Sequence, residues 1–259
     1  MSGKNHLIMD TPALGVVRFT LHRPDKMNAL ATPLLADLAN AMENADKDEN
    51  IRVIIITGGD KIFAAGADIN ELRTKTKADG LADPRTEIWA RIRAIKSPVI
   101  AAVEGWCLGA GNELLMCTDL AVAGEGAKFG QPETSLGIMP GAGGASTLPR
   151  LVGRMQTMKM VLLGRPISAA QALQFGLICD VTPDGAAGEL ALEYAQKISR
   201  RAPLALREAK AVIKATFEKP HSEQLDLERQ AFSRLLSTDD KNEGIDAFLD
   251  KRKPNWSGR

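Results

Sequence analysis

The chain has 259 residues, of which 44% are hydrophobic and 25% are charged. Such a composition is typical of a globular protein, and the length suits one large domain or one domain with a helical extension. The formal net charge is +1, so no overall field attracts nucleic acid or an anionic membrane surface. We therefore expect neither nucleic acid nor a membrane as a partner.

The beginning of the sequence, MSGKNHLIMDTPALG, has neither the long apolar segment of a signal peptide nor an Arg-rich amphipathic stretch. No run approaches about 18 apolar residues, the length that a membrane-spanning helix needs. The three cysteines are widely spaced and flanked by apolar residues: Cys107, Cys117 and Cys179. They indicate reduced core thiols in a cytosolic protein rather than disulfides or a metal site. The three histidines are too scattered for a zinc cluster, so we expect no metal site.

Short β-rich segments alternate with helical patterns over the first two thirds of the chain. The β-rich segments are GVVRFTL (15–21), RVIIITG (52–58), PVIAAVEG (98–105), DLAVAG (119–124) and LICDVTP (177–183). The second and third are continuously apolar, which predicts strands buried on both faces. Helices are predicted from Thr32 as N-cap with Pro33 at the first position, over 84–96, and between Ser168 and Gly176. This alternation predicts an α/β fold.

The strand signals stop after about residue 185, and only helical patterns follow. We predict helices over 186–200, 203–218, 222–236 and 238–252. The chain therefore divides into an α/β core, residues 1–195, and a C-terminal all-helical region, residues 196–259. No repeat of fixed period is present.

The segment RTKTKADGLADPRTE (73–87) is charged and contains Gly80 and Pro84. These features fit a solvated loop, and they equally fit a mobile lid over a pocket.

Two clusters of small residues lie where a strand meets a helix. The first is in ITGGDKIFAAGADI (56–69), and the second is LGAGN (108–112). Small side chains let a ligand approach the backbone closely and leave N–H groups available. The N–H groups of Ala67 and Ala110 are placed to form an oxyanion hole, which stabilises a developing negative charge on oxygen. Tight strand-to-helix connections explain the same residues without a ligand.

Two glutamates follow these clusters. Glu113 interrupts an apolar helix face, where an ionised carboxylate is costly unless it is paired or used. Glu133 follows a proline in FGQPETSLGIMPGAGG (129–144). Beside an oxyanion hole, two carboxyl groups can share acid–base work on a bound carbonyl compound. The alternative is a hydrogen-bonded buried Glu113 and a Glu133 that begins a helix.

At these residues the sequence resembles the enoyl-CoA hydratase/isomerase (crotonase) superfamily, and within it the short-chain enoyl-CoA hydratases. The resemblance rests on RPDKMNAL, ITGGDKIFAAGADI, PVIAAVEGWCLGAGNELLMCTDLAVAG, AKFGQPETSLGIMPGAGG and TDDKNEGIDAFLDKRKP, which together span the chain from about residue 20 to its end. It implies a crotonase-like ββα spiral core over 1–195 and a trimerisation region over 196–259. Homotrimers or dimers of trimers are the implied assemblies.

The resemblance implies addition of water to a trans-2-enoyl-CoA to give a 3-hydroxyacyl-CoA, as in fatty acid β-oxidation. Glu113 would act as base to the water and Glu133 as proton donor to C2, with Ala67 and Ala110 donating to the thioester oxygen. Ala110 replaces the glycine usual in the family. The substrate and coenzyme A residues implied are Ala65, Ala67, Asp68, Ile69, Asn70 and Gly141. No cofactor is implied, because coenzyme A is part of the substrate.

The resemblance also suggests which residues surround the acyl chain and which acyl chain is bound. Trp106 and the segment 73–88 are expected to line the acyl tunnel. The stretch LADPRTEIWARI is similar to hydratases of phenylacetate breakdown, which act on dehydroadipyl-CoA.

Three other functions are alternatives to hydration: isomerisation, RNA binding and the role of an inactive partner subunit. A Δ3,Δ2-enoyl-CoA isomerase would need one base, so the presence of both glutamates argues against it. An RNA-binding relative would need a basic helix face, whereas the lysines here are interspersed with acidic and apolar residues. Nothing in the sequence supports a catalytically inactive partner subunit, because both carboxylates and both small-residue loops are present.

Overall fold

The computed structural model describes residues 6–259, and the strands and helices of that range form a mixed α/β structure. The strands are β1 Leu7–Ala13, β2 Val16–Leu21, β3 Val53–Thr57, β4 Ile62–Ala64, β5 Val99–Val103, β6 Trp106–Leu108, β7 Leu120–Gly124, β8 Lys128–Gly130, β9 Ile167–Ser168 and β10 Asp180–Thr182. The helices are α1 Thr32–Lys47, α2 Ile69–Leu72, α3 Lys77–Leu81, α4 Arg85–Arg93, α5 Ala110–Leu115, α6 Leu148–Val152, α7 Arg154–Leu163, α8 Ala169–Phe175, α9 Ala187–Ser199, α10 Pro203–Ala215, α11 His221–Leu235 and α12 Asp239–Leu249. The α/β prediction is confirmed.

A six-stranded sheet in the order β1-β2-β3-β5-β7-β10 contains all five predicted strands. Its strands are parallel except for β1, which pairs antiparallel with β2. Alternate side chains of β3 enter two separate cores: Ile54 and Ile56 pack on one face, and Val53 and Ile55 pack on the other. A strand buried on both faces has apolar residues at every position, which is why β3 and β5 read as continuous apolar runs.

A second, four-stranded sheet in the order β4-β6-β8-β9 was not predicted from the sequence. Its strands have only two or three residues, too few for a period-two pattern to be recognised. Strands β4, β6 and β8 are parallel to one another, and β9 pairs antiparallel with β8. Neighbouring strands, rather than local sequence preference, therefore define these elements.

The chain builds the two sheets together as a spiral. Strand β3 in the large sheet is followed by β4 in the small one, β5 by β6, and β7 by β8. Helices of different lengths separate these strand pairs, which explains why the sequence has no repeat of fixed period.

The larger core lies between the two sheets and helices α1 and α4. Helix α1 contributes Leu34, Leu35, Leu38 and Met42, whose spacing puts them on one helix face. On the opposite face of the large sheet, α9 packs through three alanines spaced four residues apart: Ala187, Ala191 and Ala195. Small side chains at this spacing let the helix lie close to the sheet.

The start of α1 differs from the prediction. Thr32 is the first helical residue and Ala31 occupies the N-cap position, with no side-chain cap. Instead, the N–H and hydroxyl of Thr32 both donate to the Glu71 carboxylate, at 3.0 Å and 2.7 Å. A carboxylate from a distant element thus accepts the first N–H of the helix, as the side chain of a local N-cap residue would accept an N–H of the first turn.

The segment 73–87 is not a plain loop. It contains α3, and Thr76 and Asp79 form a capping box at its start. The predicted helix over 84–96 is present as α4, Arg85–Arg93.

All four predicted C-terminal helices are present as α9 to α12. Helix α9 runs through the predicted boundary at 195/196 and ends at Ser199. Helix α10 is tied to the core by Lys210, whose ammonium lies 2.6 Å from the Asp119 carboxylate and 2.8 Å from the carbonyl oxygen of Ser97. Among residues 6–259, no helix is long and apolar enough to cross a membrane.

The close packing of α5 on β4 depends on Gly111. A Cβ at this position would lie 2.3 Å from the carbonyl oxygen of Ala64. We expect Gly111→Ala to lower the free energy of unfolding by about 2 kcal/mol or more, measured by urea unfolding, because backbone has to move. Gly80→Ala is the control, since a Cβ there meets nothing within 4 Å. An equally small effect of both substitutions would contradict this packing.

Candidate active site

Three segments that carry the predicted site residues follow β4, β6 and β8. These strands are parallel neighbours, so their carboxyl ends lie at one edge of the small sheet. Ala65 to Ala67 come after β4, Gly109 and Ala110 after β6, and Gln131 to Glu133 after β8. The carboxyl edge of parallel strands is a common location for a binding site.

The first segment is fixed to the loop that precedes α1. The N–H of Ala65 donates to the carbonyl oxygen of Met27 at 3.0 Å, and the N–H of Leu30 donates to that of Gly66 at 2.8 Å. The Arg23 guanidinium forms an ion pair with the Asp68 carboxylate at 3.0 Å. These contacts give the motif RPDKMNAL its structural role, which is to hold the loop that carries Ala67.

Asp68 is a supporting residue rather than a wall of the pocket. Its carboxylate accepts the Asn70 N–H at 3.1 Å and so caps α2. Burial raises the pKa of Asp68, but the Arg23 guanidinium and the Asn70 N–H outweigh burial, and the net pKa lies below its usual value. The side chain therefore stays ionised and paired.

The second segment turns sharply at Gly109, whose φ of +50° is one that glycine adopts readily. Helix α5 begins at the next residue, Ala110, so the Ala110 N–H is one of the donors left unpaired at a helix start. A Cβ on Gly109 would lie only 3.7 Å from Cα of Gly66, which shows how closely the two loops approach. Within residues 6–259, the N–H groups of Ala67 and Ala110 have no hydrogen-bond acceptor.

Glu113 is buried and held through one oxygen. Its Oε1 accepts the N–H of Ala142 at 2.7 Å and that of Gly144 at 2.8 Å. Burial raises the pKa of Glu113. The two N–H groups and the positive charges of Arg85 and Arg93 oppose that rise but do not cancel it, so the net pKa lies above its usual value. In the described part of the chain Oε2 has no partner, so it is available to a ligand.

Glu133 has a different environment. Burial and the nearby negative charge of Glu113 raise the pKa of Glu133 to about 7. The Gln131 amide nitrogen, turned so that it donates, lies 2.9 Å from Oε1 and 3.1 Å from Oε2 of Glu133. Turned the other way, the Gln131 oxygen can accept a hydrogen bond from the carboxyl O–H of neutral Glu133, so this side chain suits both protonation states.

The three segments surround a cavity of about 1130 Å³. Of the predicted residues, those that line it are Ala65, Ala67, Ile69, Ala110, Glu113, Glu133 and Gly141. Asp68 and Asn70 lie outside its lining. The structure therefore brings both glutamates and both candidate N–H donors to one space.

The expected acyl tunnel is only partly as predicted. Gly80, Asp83, Arg85 and Thr86 of the segment 73–88 line the cavity. Trp106 does not, and the expectation for it is wrong: it is exposed on β6, where the neighbouring Cys107 points into the core.

Four residues of the site were not singled out from the sequence: Gln131, Ala142, Gly144 and Arg85. Ala142 and Gly144 act through their backbone N–H groups, which no sequence pattern identifies. Gln131 precedes Glu133 by two positions in a segment without regular structure before the short helical turn Glu133–Leu136. Among residues 6–259, no group of three or more His, Cys, Asp and Glu side chains is placed to hold a metal ion.

The raised pKa of Glu133 predicts a stability effect with a definite sign. Between pH 4.5 and about 7 the unfolded chain releases this proton and the folded protein retains it, so stability falls as pH rises. We expect Glu133→Gln to be more stable than wild type at about pH 8 by about 1–2 kcal/mol, allowing for solvent screening, and to show little difference at about pH 4. Urea unfolding at both pH values measures this.

Glu43→Gln is the matched control, and it is expected to change the free energy of unfolding at pH 8 in the opposite direction. The Arg91 guanidinium lowers the pKa of Glu43, so that substitution removes a favourable ion pair at pH 8 and does not stabilise the protein. A Glu133→Gln protein less stable than wild type at both pH values would contradict the burial cost.

Comparison with known proteins agrees with this geometry. The model of the enoyl-CoA hydratase/isomerase family matches residues 12–259. The chain is 49% identical over 244 residues to 2,3-dehydroadipyl-CoA hydratase of Escherichia coli, covering 94% of this chain and 96% of that protein. It is 39% identical to mitochondrial enoyl-CoA hydratase of Pongo abelii, covering 98% and 85%.

A crystal structure of enoyl-CoA hydratase from Bacillus anthracis superposes with a TM-score of 0.93 at 35% identity, covering 98% of this chain and all of that one. The two-sheet spiral is thus the crotonase fold that the sequence resemblance implied. The chain belongs to the enoyl-CoA hydratase/isomerase family.

Proposed function

We propose that this protein is an enoyl-CoA hydratase, a hydro-lyase that adds water across the 2,3 double bond of a trans-2-enoyl-CoA. The observation that carries the proposal is the meeting of two carboxyl groups and two unpaired N–H groups in one cavity. The named activities of the relatives support the same reaction. The relatives indicate the overall reaction, and the geometry of the cavity indicates which residue carries out each step.

In the proposed reaction the thioester oxygen accepts hydrogen bonds from the N–H groups of Ala67 and Ala110. These donors withdraw electrons from the double bond, make C3 electrophilic and stabilise the enolate that forms. Ala65 and Ile69, together with Gly141, contribute to the walls around the thioester and coenzyme A. Asp68 and Asn70 support coenzyme A binding indirectly, by fixing the loop.

Glu113 is the proposed base. The two N–H bonds at Oε1 favour its ionised form and fix the carboxylate, while Oε2 is left to accept a proton from water. Because the side chain is buried, this orientation is set before the substrate binds.

Glu133 is the proposed acid. With a pKa of about 7 it holds a proton in about half of the molecules at neutral pH, as a proton donor requires. Its neighbour Gln131 orients the carboxyl group in either state. Two carboxyl groups in unequal environments thus take opposite roles.

The proposed reaction balances its protons with water and the two glutamates alone. The water oxygen bonds to C3 and one water proton goes to Glu113, while the proton of Glu133 goes to C2. A proton then returns from Glu113 to Glu133. Acid–base groups are sufficient for this chemistry, so we propose that no metal or redox cofactor takes part and that coenzyme A enters as part of the substrate.

No observation favours the two alternatives over hydration. A Δ3,Δ2-enoyl-CoA isomerase would need one base, whereas this cavity presents two carboxyl groups suited to hold a water. An RNA-binding role would need a separate basic surface, and several lysines of the C-terminal region are paired instead, such as Lys210 with Asp119 and Lys197 with Glu193.

We also propose that the chain forms a trimer or a dimer of trimers through residues 196–259. Large apolar side chains on α11 and α12 are exposed outside the cavity: Leu225, Phe232, Ile245, Phe248 and Leu249. Such a set is typical of a surface covered by another subunit. Sedimentation equilibrium gives the assembly directly, and a monomer would contradict the proposal.

The cytoplasm is the proposed location. All three cysteines are free thiols, which is compatible with a reducing compartment. The prediction of core thiols is confirmed for Cys107, which is buried, and is wrong for Cys179, which is exposed.

Replacing either carboxyl group should remove most of the activity. We expect Glu113→Gln and Glu133→Gln each to lower kcat by about 10²–10⁴-fold with crotonyl-CoA, because a proton acceptor or donor is lost. The loss of ultraviolet absorbance of the enoyl thioester measures the rate. Unchanged rates would overturn the acid–base roles. Turnover of a 3-enoyl-CoA by Glu113→Gln, with no hydration by wild type, would instead identify an isomerase.

The pH dependence should reflect a pair of glutamates that shares one proton. Hydration needs Glu113 ionised and Glu133 protonated, so kcat/KM should fall as pH rises above about 7. The reverse reaction, dehydration of a 3-hydroxyacyl-CoA, should fall over the same range, because it also requires a singly protonated pair. A rate that rises through pH 7 would contradict the assignment of Glu133 as proton donor.

A further inference from the structure

Arg85 is a buried cation on the wall of the cavity. It is the first residue of α4, follows Pro84, and is only 7% exposed. Its neighbours on the cavity wall include Trp89 from the next turn of the same helix. A guanidinium with so little exposed surface is normally paired, because even partial removal from water is costly. The guanidinium nitrogens of Arg85 are not fully enclosed, so they are accessible from the cavity.

Arg85 has no such pair in the described part of the chain. Its backbone N–H donates to the Asp83 carboxylate, but its guanidinium makes no hydrogen bond and no ion pair among residues 6–259. The Asp83 carboxylate is itself paired with the Lys75 ammonium. A guanidinium without a hydrogen bond or ion pair at a cavity wall can bind an anion that enters the cavity.

The other cations of the cavity wall are engaged. Lys210 pairs with Asp119, and the side chains of Arg93, Lys214 and Arg150 donate to backbone carbonyl oxygens. Arg85 differs from them because, within residues 6–259, none of its five guanidinium N–H donors has a hydrogen-bond acceptor.

We propose that Arg85 binds a carboxylate at the far end of the acyl chain, so that the preferred substrate is a 2-enoyl-CoA of a dicarboxylic acid. The proposal rests on the proposed hydratase function and names its substrate class. The positive charge of Arg85 acts on the carboxylates of Glu113 and Asp83. Among residues 6–259, its guanidinium nevertheless makes no hydrogen bond or ion pair with either of them. The anion that pairs with Arg85 would thus lie in the same cavity as the reacting double bond. The apolar side chains of Trp89, Leu136 and Met139 line this cavity and suit the methylene groups between the two ends.

Arg85 has one competing role, which is to keep Glu113 ionised through its positive charge. A purely electrostatic effect on Glu113 would change the rate for every enoyl-CoA by a similar factor. Recognition of a carboxylate would change only the substrates that carry one. The ratio of kcat/KM for two matched substrates therefore separates the roles.

The test compares 2,3-dehydroadipyl-CoA with trans-2-hexenoyl-CoA, which has the same chain length and a methyl group in place of the carboxylate. We expect wild type to favour the acid by about 30-fold or more in kcat/KM, and Arg85→Gln to reduce this ratio by about 30–100-fold. Arg85→Lys should retain part of the preference, because it keeps the charge and loses the bidentate geometry. Arg91→Gln is the matched control: Arg91 lies on the same helix, pairs with Glu43 and does not line the cavity.

A ratio that stays the same in Arg85→Gln, or a wild-type enzyme without preference for the acid, would overturn the proposal. Binding of the saturated analogues adipyl-CoA and hexanoyl-CoA, measured by calorimetry, gives a second readout that needs no turnover. A preference for adipyl-CoA that Arg85→Gln abolishes would support the carboxylate site even if neither enoyl-CoA were hydrated. In that case the hydratase function would fail separately.

Discussion

The parallel alignment of three very short strands is the constraint on which the site depends. Strands β4, β6 and β8 each have three residues, and each ends at the same edge of the small sheet. This arrangement brings the loop of Ala67, the start of α5 at Ala110 and the segment before Glu133 together. Such strands cannot be stable alone, so the larger sheet and the core between the sheets have to hold them in register.

Rigid support of the site comes from backbone groups and from side chains that never touch the ligand space. Arg23 holds Asp68, and Asp68 caps the helix after the first loop. The N–H groups of Ala142 and Gly144 fix Glu113 from a segment about thirty residues further along the chain. Donors and acceptors that are fixed before the substrate arrives need not reorganise during the reaction, which is the main physical advantage of such a site.

In the proposed mechanism, the two glutamates have different roles because their environments differ, although both are the same residue type. One oxygen of Glu113 is bonded twice to N–H groups, and positive charges lie nearby. Glu133 is buried without a cation and faces the charge of Glu113, so its pKa rises to about 7. A buried carboxyl group near neutrality costs stability, and an active site tolerates that cost because acid–base work needs it.

The sequence alone determined five of the six strands of the large sheet, all except β1, and the positions of most helices. It also identified the two small-residue loops and the candidate pair Glu113 and Glu133. These features follow from local preferences and from burial on one or two faces, which leave periodic patterns along the chain. Only the tertiary structure decided the strands of the small sheet, the cap of α1 by Glu71, and the unpaired state of Arg85. Each of these depends on groups far apart in sequence, and hydrogen bonds, burial and charge act through space, so no local pattern records them.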